Sequence, residues 1–114
     1  MIDQIRPSQL STWLTRNASS TDSGVVLDVR EPWELQTAAV TPQGFALVSI
    51  PMREVPARVN ELDKHQAIAC LCHHGVRSLQ VANFLAQTGF ETVANIAGGI
   101  DLWAAELDAG VPRY

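Results

Sequence analysis

The residues whose types and spacing best suit catalysis lie together in one stretch, Cys72-His73-His74-Gly75-Val76-Arg77-Ser78. A predicted strand leads into this stretch, and a predicted helix begins at its end. A short loop that closes onto the start of a helix points several backbone N–H groups inward, and the helix dipole adds roughly half a positive charge there. Such a loop binds anions and stabilises a cysteine at its mouth as the thiolate. The stretch therefore predicts a nucleophilic Cys72.

The other members of the stretch have predicted supporting roles. Gly75 permits backbone angles that a side chain would forbid in so tight a turn. Arg77 places a permanent cation at the end of the loop, where it is expected to help gather an anionic substrate. His73 and His74 are expected to be polar groups at the rim rather than metal ligands, because no third or fourth ligand lies at suitable spacing. The second cysteine, Cys70, is expected to be buried and inert.

The elements that must position this loop alternate along the chain. Apolar runs predict four strands over residues 24–29, 46–50, 67–71 and 92–96, with a short edge strand near Gln4 and Ile5. The near-continuous apolar character of the four runs is typical of parallel strands buried on both faces. Helices are predicted to open at Pro7, Pro32 and Pro56, and two more are predicted over residues 77–87 and 100–107. This alternation predicts a doubly wound α/β domain, in which ligands bind beyond the carboxyl ends of the strands.

The composition limits what the protein can be. The chain has 114 residues, which predicts one domain over residues 1–114. Its formal net charge of −4 argues against nucleic-acid binding, since no basic surplus is available to replace phosphate counterions. Signal-peptide and membrane-spanning stretches are not found, so no membrane partner is expected. The two cysteines do not make a disulfide framework, and a cytoplasmic location with free thiols is expected.

Residues 72–78 resemble the active-site loop of the rhodanese family. Two flanking stretches resemble further motifs of that family, in the family's order: Val26-Leu27-Asp28-Val29-Arg30-Glu31 and Ala97-Gly98-Gly99-Ile100-Asp101-Leu102-Trp103. The resemblance implies an α/β fold with a five-stranded, mostly parallel sheet flanked by helices on both faces. It also implies that Cys72 carries sulfane sulfur as a persulfide within a binding loop made of His73, His74, Gly75, Val76, Arg77 and Ser78. Asp28 and Arg30 match the family's acidic and basic positions, where a structural carboxylate paired with an arginine is expected.

The resemblance implies a double displacement that needs no metal or organic cofactor. The Cys72 thiolate takes the outer sulfur of thiosulfate or another persulfide donor. An acceptor then removes that sulfur, either cyanide in an assay or a cellular thiol, including one carried by a protein.

Three alternatives stay open. The first is a sulfur-relay or redox module that serves another protein and uses thiosulfate poorly. The second is a phosphatase-like or arsenate-reductase-like enzyme, whose loops place one more residue between cysteine and arginine than the four found here. The third is a catalytically inactive scaffold, which the presence of the nucleophile disfavours.

Overall fold

The computed structural model describes residues 2–17 and 24–114. Five short strands form its centre: β1 (Asp3–Ile5), β2 (Val25–Asp28), β3 (Ala46–Ser49), β4 (Ile68–Leu71) and β5 (Val93–Ile96). They form one sheet in the order β1-β5-β4-β2-β3, and every neighbouring pair is parallel. The predicted α/β fold is confirmed, including the edge strand near Gln4 and Ile5.

Helices connect the strands: α1 (Leu10–Asn17), α2 (Pro32–Thr37), α3 (Val55–Arg58), α4 (Val76–Gln87) and α5 (Gly99–Glu106). Short 3-10 turns precede α1 at Pro7–Gln9 and flank α3 at Met52–Glu54 and Val59–Glu61. Pro32 and Pro56 lie at the starts of α2 and α3 as predicted, whereas Pro7 opens the 3-10 turn and not α1 itself. None of the helices in the described part of the chain is long and apolar enough to cross a membrane.

The hydrophobic core has one layer on each face of the sheet. Because side chains alternate along a strand, Val26 points to one face and its neighbours Val25 and Leu27 point to the other. The first layer includes side chains of α1 and α5, namely Leu10, Trp13, Leu14, Ile100 and Trp103. The second includes side chains of α3 and α4, namely Val55, Val81, Ala82 and Leu85. Helices therefore cover both faces of the sheet.

Strand β3 departs from the prediction that the apolar runs are buried on both faces. Ala46 and Ser49 at its ends are exposed, and Leu47 and Val48 between them are only half-buried. β3 is one of the two edge strands and pairs with β2 alone, so it lies at the margin of both core layers. An apolar run reports hydrophobicity, but the strand order decides how much of it the helices cover.

Strand β4 delivers both cysteines to the α4 side of the sheet. Cys70 lies within the strand and Cys72 just beyond its end, so their side chains, two positions apart, share one face. Both are free thiols. Cys70 is completely buried, and this burial raises the pKa of its thiol. Cys72 instead lies at the carboxyl end of the sheet, where the connections after β2, β4 and β5 meet.

Candidate active site

Cys72 lies in the loop of residues 72–78, where β4 leads into α4; this loop is called the cradle below. Its Sγ accepts hydrogen bonds from the Gly75 N–H, at 3.0 Å, and from the Ser78 hydroxyl, at 3.2 Å. Gly75 has a φ of 101°, and a Cβ at this position would lie 3.0 Å from the Gly98 nitrogen. A side chain would therefore be strained by the backbone conformation and crowded by the Gly98 nitrogen. Cys72 is only 1% exposed, so protein donors, and not bulk water, surround its sulfur.

The start of α4 adds to the positive potential at the sulfur. Gly75 is the residue that precedes α4, and none of the described side chains caps this helix through a hydrogen bond. The first N–H groups of a helix have no partner within the helix and carry the positive end of its dipole. Together with the two donors at Sγ, this end of α4 offers hydrogen bonds and positive potential to an anionic group.

A chain of buried polar groups holds the Ser78 hydroxyl in place. Ser78 Oγ lies 2.5 Å from Asn95 Oδ1, and the Asn95 amide nitrogen donates to the Gly75 carbonyl at 3.1 Å and to Gln4 Oε1 at 2.8 Å. Because Asn95 Oδ1 can only accept, Ser78 has one proton to share between Asn95 and the Cys72 sulfur. The hydroxyl can therefore donate to Asn95 beside a thiol and turn its proton to the sulfur beside a thiolate.

The loop after β5 closes the cradle from the other side. Ile100 N donates to the Cys72 carbonyl at 2.8 Å, and Asp101 N donates to the His73 carbonyl at 3.1 Å. This backbone contact requires a glycine at the start of α5, because a Cβ on Gly99 would lie 2.4 Å from both carbonyl oxygens. The C=O and N–H of a trans peptide point in opposite directions. Because the Cys72 and His73 carbonyls point to α5, the N–H groups of the same two peptide units point away from that helix.

Two ion pairs lie beside the cradle. Asp28 and Arg30 form the inner pair, in which Arg30 Nη2 lies 2.8 Å from Asp28 Oδ2 and Arg30 Nε lies 2.9 Å from Asp28 Oδ1. Both residues are fully enclosed by protein, so each charge depends on the other for compensation. Neither of them contacts the Cys72 sulfur, and the pair acts on the loop through its neighbours.

Glu34 and Arg77 form the second pair. Arg77 Nη1 and Nη2 donate to the two carboxylate oxygens of Glu34 at 2.6 and 2.8 Å. Chiefly because of Arg77, and also because the Glu31 N–H and the Tyr114 hydroxyl donate to it, the pKa of Glu34 falls from 4.5 to about 2. The carboxylate in turn raises the pKa of the Arg77 guanidinium. Arg77 is predicted from the sequence to gather an anionic substrate. In the structure both of its terminal nitrogens instead donate hydrogen bonds to Glu34.

Tyr114 joins the two ion pairs to the loop. Its hydroxyl accepts from Arg30 Nη1 at 3.0 Å and donates to Glu34 Oε2 at 2.7 Å. Burial raises the pKa of this hydroxyl to about 12, so it stays protonated and can donate to Glu34. The Tyr114 ring stacks on the His73 ring with 3.9 Å between centroids, and His73 stacks on His74 at the same distance.

The predicted loop residues are thus brought together in one cradle, with Asp28 and Arg30 beside it. Sequence reasoning missed four residues that complete the surroundings: Gln4, Glu34, Asn95 and Tyr114. For Asn95 a signal existed, because it is the polar residue inside an otherwise apolar strand. Glu34 and Tyr114 gave no comparable signal, because their partners lie 43 and 80 or more residues away in the chain.

Apolar side chains stand exposed next to the site. Trp33 is 61% exposed and directly precedes Glu34, and Val76 is 66% exposed between Gly75 and Arg77. Trp33 also contacts Tyr114 edge to face, with ring centroids 6.1 Å apart. The surroundings of the cradle therefore combine compensated charges with uncovered apolar surface.

Fold and site together define a parallel α/β domain that places a buried, hydrogen-bonded cysteine at the start of a helix. The sequence profile of the Rhodanese-like domain family matches residues 10–106, and the chain belongs to that family.

Similar proteins fit this membership. A sulfurtransferase of Allochromatium vinosum is 32% identical over 104 residues, which cover 91% of this chain and 90% of that protein. The Arabidopsis thaliana Rhodanese-like/PpiC domain-containing protein 12, chloroplastic, is 36% identical over 97 residues, which cover 82% of this chain but only 31% of that longer protein. The crystal structure of a rhodanese-related protein from Thermoplasma volcanium has a TM-score of 0.75 at 29% identity and covers 96% of this chain and 95% of its own. The family and its sulfurtransferase members give this protein a role in sulfur transfer.

Proposed function

We propose that the protein is a sulfurtransferase that moves sulfane sulfur through a persulfide on Cys72, from thiosulfate or another persulfide donor to a thiophilic acceptor. The observation that carries the proposal is the pair of hydrogen bonds that the Cys72 sulfur accepts from Gly75 N and Ser78 Oγ at the start of α4. These donors serve a sulfur anion, which is the reactive form both before and after the first transfer.

In the first half of the cycle the Cys72 thiolate attacks the outer sulfur of the donor. With thiosulfate, a new sulfur–sulfur bond forms to Cys72 while the sulfur–sulfur bond of thiosulfate breaks, and sulfite leaves with the bonding electrons. The negative charge of the thiolate passes to the outer sulfur of the new persulfide. No proton transfer is needed, so the cradle requires donors and not a general base. That requirement fits the neutral N–H and hydroxyl groups around Sγ.

In the second half an acceptor attacks the outer sulfur and leaves Cys72 as the thiolate. Cyanide gives thiocyanate, and a thiolate acceptor gives a new persulfide. Each exchange conserves charge, so the donors that stabilise the starting thiolate also stabilise the leaving thiolate. Loss of one such donor costs about 10²–10³-fold in rate in comparable anion-stabilising sites.

A second candidate function is sulfur relay between proteins with little use of free thiosulfate. It is favoured by the charge balance around the cradle, where Arg30, Arg77 and Arg113 each pair with a carboxylate. An arginine that is already paired with a carboxylate attracts a dianionic donor only weakly. A protein that carries a persulfide can instead bind through apolar contacts with the exposed Trp33 and Val76.

One experiment tests the proposal and separates the two candidates. Wild type and Cys72→Ser are incubated with thiosulfate or with a protein persulfide, and intact mass is measured before and after cyanide treatment. The proposal predicts one added sulfur atom on wild type, its removal by cyanide, and no addition to Cys72→Ser. Loading by the protein persulfide but not by thiosulfate would favour the relay. If neither donor loads Cys72, the proposed function is wrong.

The same assay decides the role of Arg77. The loading rate is measured against thiosulfate concentration for wild type and for Arg77→Met. A higher half-saturating concentration in the variant would show that Arg77 gathers the donor despite its bond to Glu34. An unchanged half-saturating concentration with a lower maximal rate would show that it supports the loop.

A further inference from the structure

We propose that His73, His74 and Asp101 form a site for a divalent transition-metal ion such as Zn²⁺ at the rim of the cradle. One imidazole nitrogen from each histidine and one carboxylate oxygen of Asp101 lie within 4.8 Å of one another. Two imidazoles and a carboxylate are a ligand set that zinc uses in proteins, and imidazole also suits copper and nickel. The sulfur chemistry proposed for Cys72 uses none of these three side chains.

The fold holds the three residues close together by backbone and ring contacts. Asp101 N donates to the His73 carbonyl at 3.1 Å, which fixes the start of α5 against the loop. The His73 ring lies between the rings of Tyr114 and His74, with centroids 3.9 Å away on each side. These contacts come from three separate parts of the chain. The juxtaposition is therefore a property of the folded domain and not of the His73-His74 sequence alone.

The remaining adjustment falls on His74, the exposed member of the three. Ligand atoms bound tetrahedrally at about 2.0–2.2 Å from zinc lie roughly 3.3–3.6 Å apart. Closing the observed separation of up to 4.8 Å requires a movement of about 1 Å. His74 is exposed, so its ring can make this movement without disturbing the core.

One nitrogen of the His73 ring also lacks a hydrogen-bond partner in the described part of the chain. His73 Nε2 is buried and has no hydrogen-bond partner among residues 2–17 and 24–114. Buried side-chain nitrogens in folded proteins nearly always have a partner, and a bound ion or water molecule is a common partner for those that lack one within the protein. A ligand bound at the His73 ring provides such a partner.

Arg113 forms an ion pair with the Asp101 carboxylate. Its Nε and Nη2 donate to the two oxygens of Asp101 at 3.0 Å each. The Arg113 side chain is 59% exposed, so the pair lies in contact with water and exchanges for another cation at little cost. Arg113 and the metal ion therefore compete for Asp101, and removing the arginine should tighten metal binding.

Calorimetric titration of the Cys72→Ser protein with Zn²⁺ tests the site, because this background removes the competing thiolate and does not depend on sulfur transfer. One ion is expected to bind per chain. In the same background, His74→Ala and Asp101→Asn should each weaken binding by at least roughly tenfold, and Arg113→Met should strengthen it. His65→Ala is the matched control, since His65 is an exposed histidine bonded to Glu91 on another surface, and it should bind as the parent does.

A second measurement guards against misfolded variants. The circular dichroism spectrum and thermal unfolding of each metal-free variant should match those of the parent. The site is refuted if the parent binds no Zn²⁺, or if binding is unchanged by His74→Ala and Asp101→Asn. It is equally refuted if His65→Ala weakens binding as much as they do.

Discussion

Replacing Glu34 with glutamine should destabilise the domain in a way that depends on pH. Glu34 is 2% exposed, and both of its carboxylate oxygens are bonded to Arg77. Glutamine has nearly the same shape, but only one of its two terminal groups is an oxygen, so it can accept from the Glu31 N–H or from the Tyr114 hydroxyl and not from both. The substitution therefore removes the negative charge and one hydrogen-bond acceptor, and it leaves Arg77 without its counterion.

The size of the effect follows from the pKa of Glu34, which the site lowers from 4.5 to about 2. At 1.36 kcal/mol per pKa unit, this difference corresponds to about 3 kcal/mol of stabilisation of the folded state by the ionised carboxylate. Water can solvate Arg77 in part once the pair is broken, because its side chain is 33% exposed. The expected loss for Glu34→Gln at pH 7 is therefore about 2–3 kcal/mol.

The direction of the pH dependence is fixed by the sign of the shift. A lowered carboxylate pKa means that the stabilisation is complete above the unfolded-state value of about 4.5 and is lost as pH falls toward 2. The difference in unfolding free energy between wild type and Glu34→Gln should thus be largest at pH 7 and fall by roughly half or more at pH 3.

Urea unfolding of both proteins at pH 7 and pH 3 measures these differences. Glu61→Gln is the control, because Glu61 pairs with Arg58 on the exposed surface, and it should change stability little. Arg77→Met and the double variant complete a mutant cycle in which the two losses should not add. A loss that is equal at pH 7 and pH 3, or losses that add in the double variant, would refute the account of the Glu34–Arg77 pair.

Three further predictions concern the surroundings of Cys72. Gly99→Ala should destabilise the domain far more than Gly44→Ala, as measured by thermal unfolding. Both glycines have positive φ, but a Cβ meets two carbonyl oxygens at 2.4 Å at the first and nothing within 4 Å at the second; equal losses would contradict this. Tyr114→Phe keeps the ring on His73 but removes the hydroxyl, and urea unfolding should show a loss of about 1–2 kcal/mol. Ser78→Ala should slow sulfur loading by roughly tenfold or more, since a hydrogen bond to a charged sulfur is lost. Loading at the wild-type rate would show that Ser78 serves only Asn95.

The cradle could be predicted from the sequence because its parts are local. Cys72, Gly75 and Ser78 lie within one turn and the start of one helix, so their spacing alone places the donors near the sulfur. The strands were predictable for a similar reason, since each is a short apolar run with its own boundaries. The prediction was wrong for the burial of β3, because strand order, and not local hydrophobicity, puts that strand at the edge.

The partners of the charged groups could not be predicted because they depend on distant segments. Arg77 looks from the sequence like a free cation, yet α2 places Glu34 against it from the other side of the cradle. The same holds for the two histidines, which have no third ligand nearby in the chain. The fold supplies Asp101 by docking the start of α5 on the loop. Spacing along the chain specifies only local geometry, and electrostatic pairing is decided by tertiary structure.

The short strand β1 has a consequence for how rigidly the Cys72 sulfur is held. Gln4 lies opposite Asn95 in the β1–β5 register and bonds to its amide, so three hydrogen-bonded steps connect an exposed glutamine to the Cys72 sulfur. β1 has only three residues and a single neighbour, and such edges are the first parts of a sheet to fray. When β1 frays, the Asn95 amide loses its bond to Gln4 and keeps the one to the Gly75 carbonyl, so Asn95 is held less firmly beside Ser78. Contacts made by another molecule along this edge would thus reach the sulfur, across the sheet, without entering the cradle.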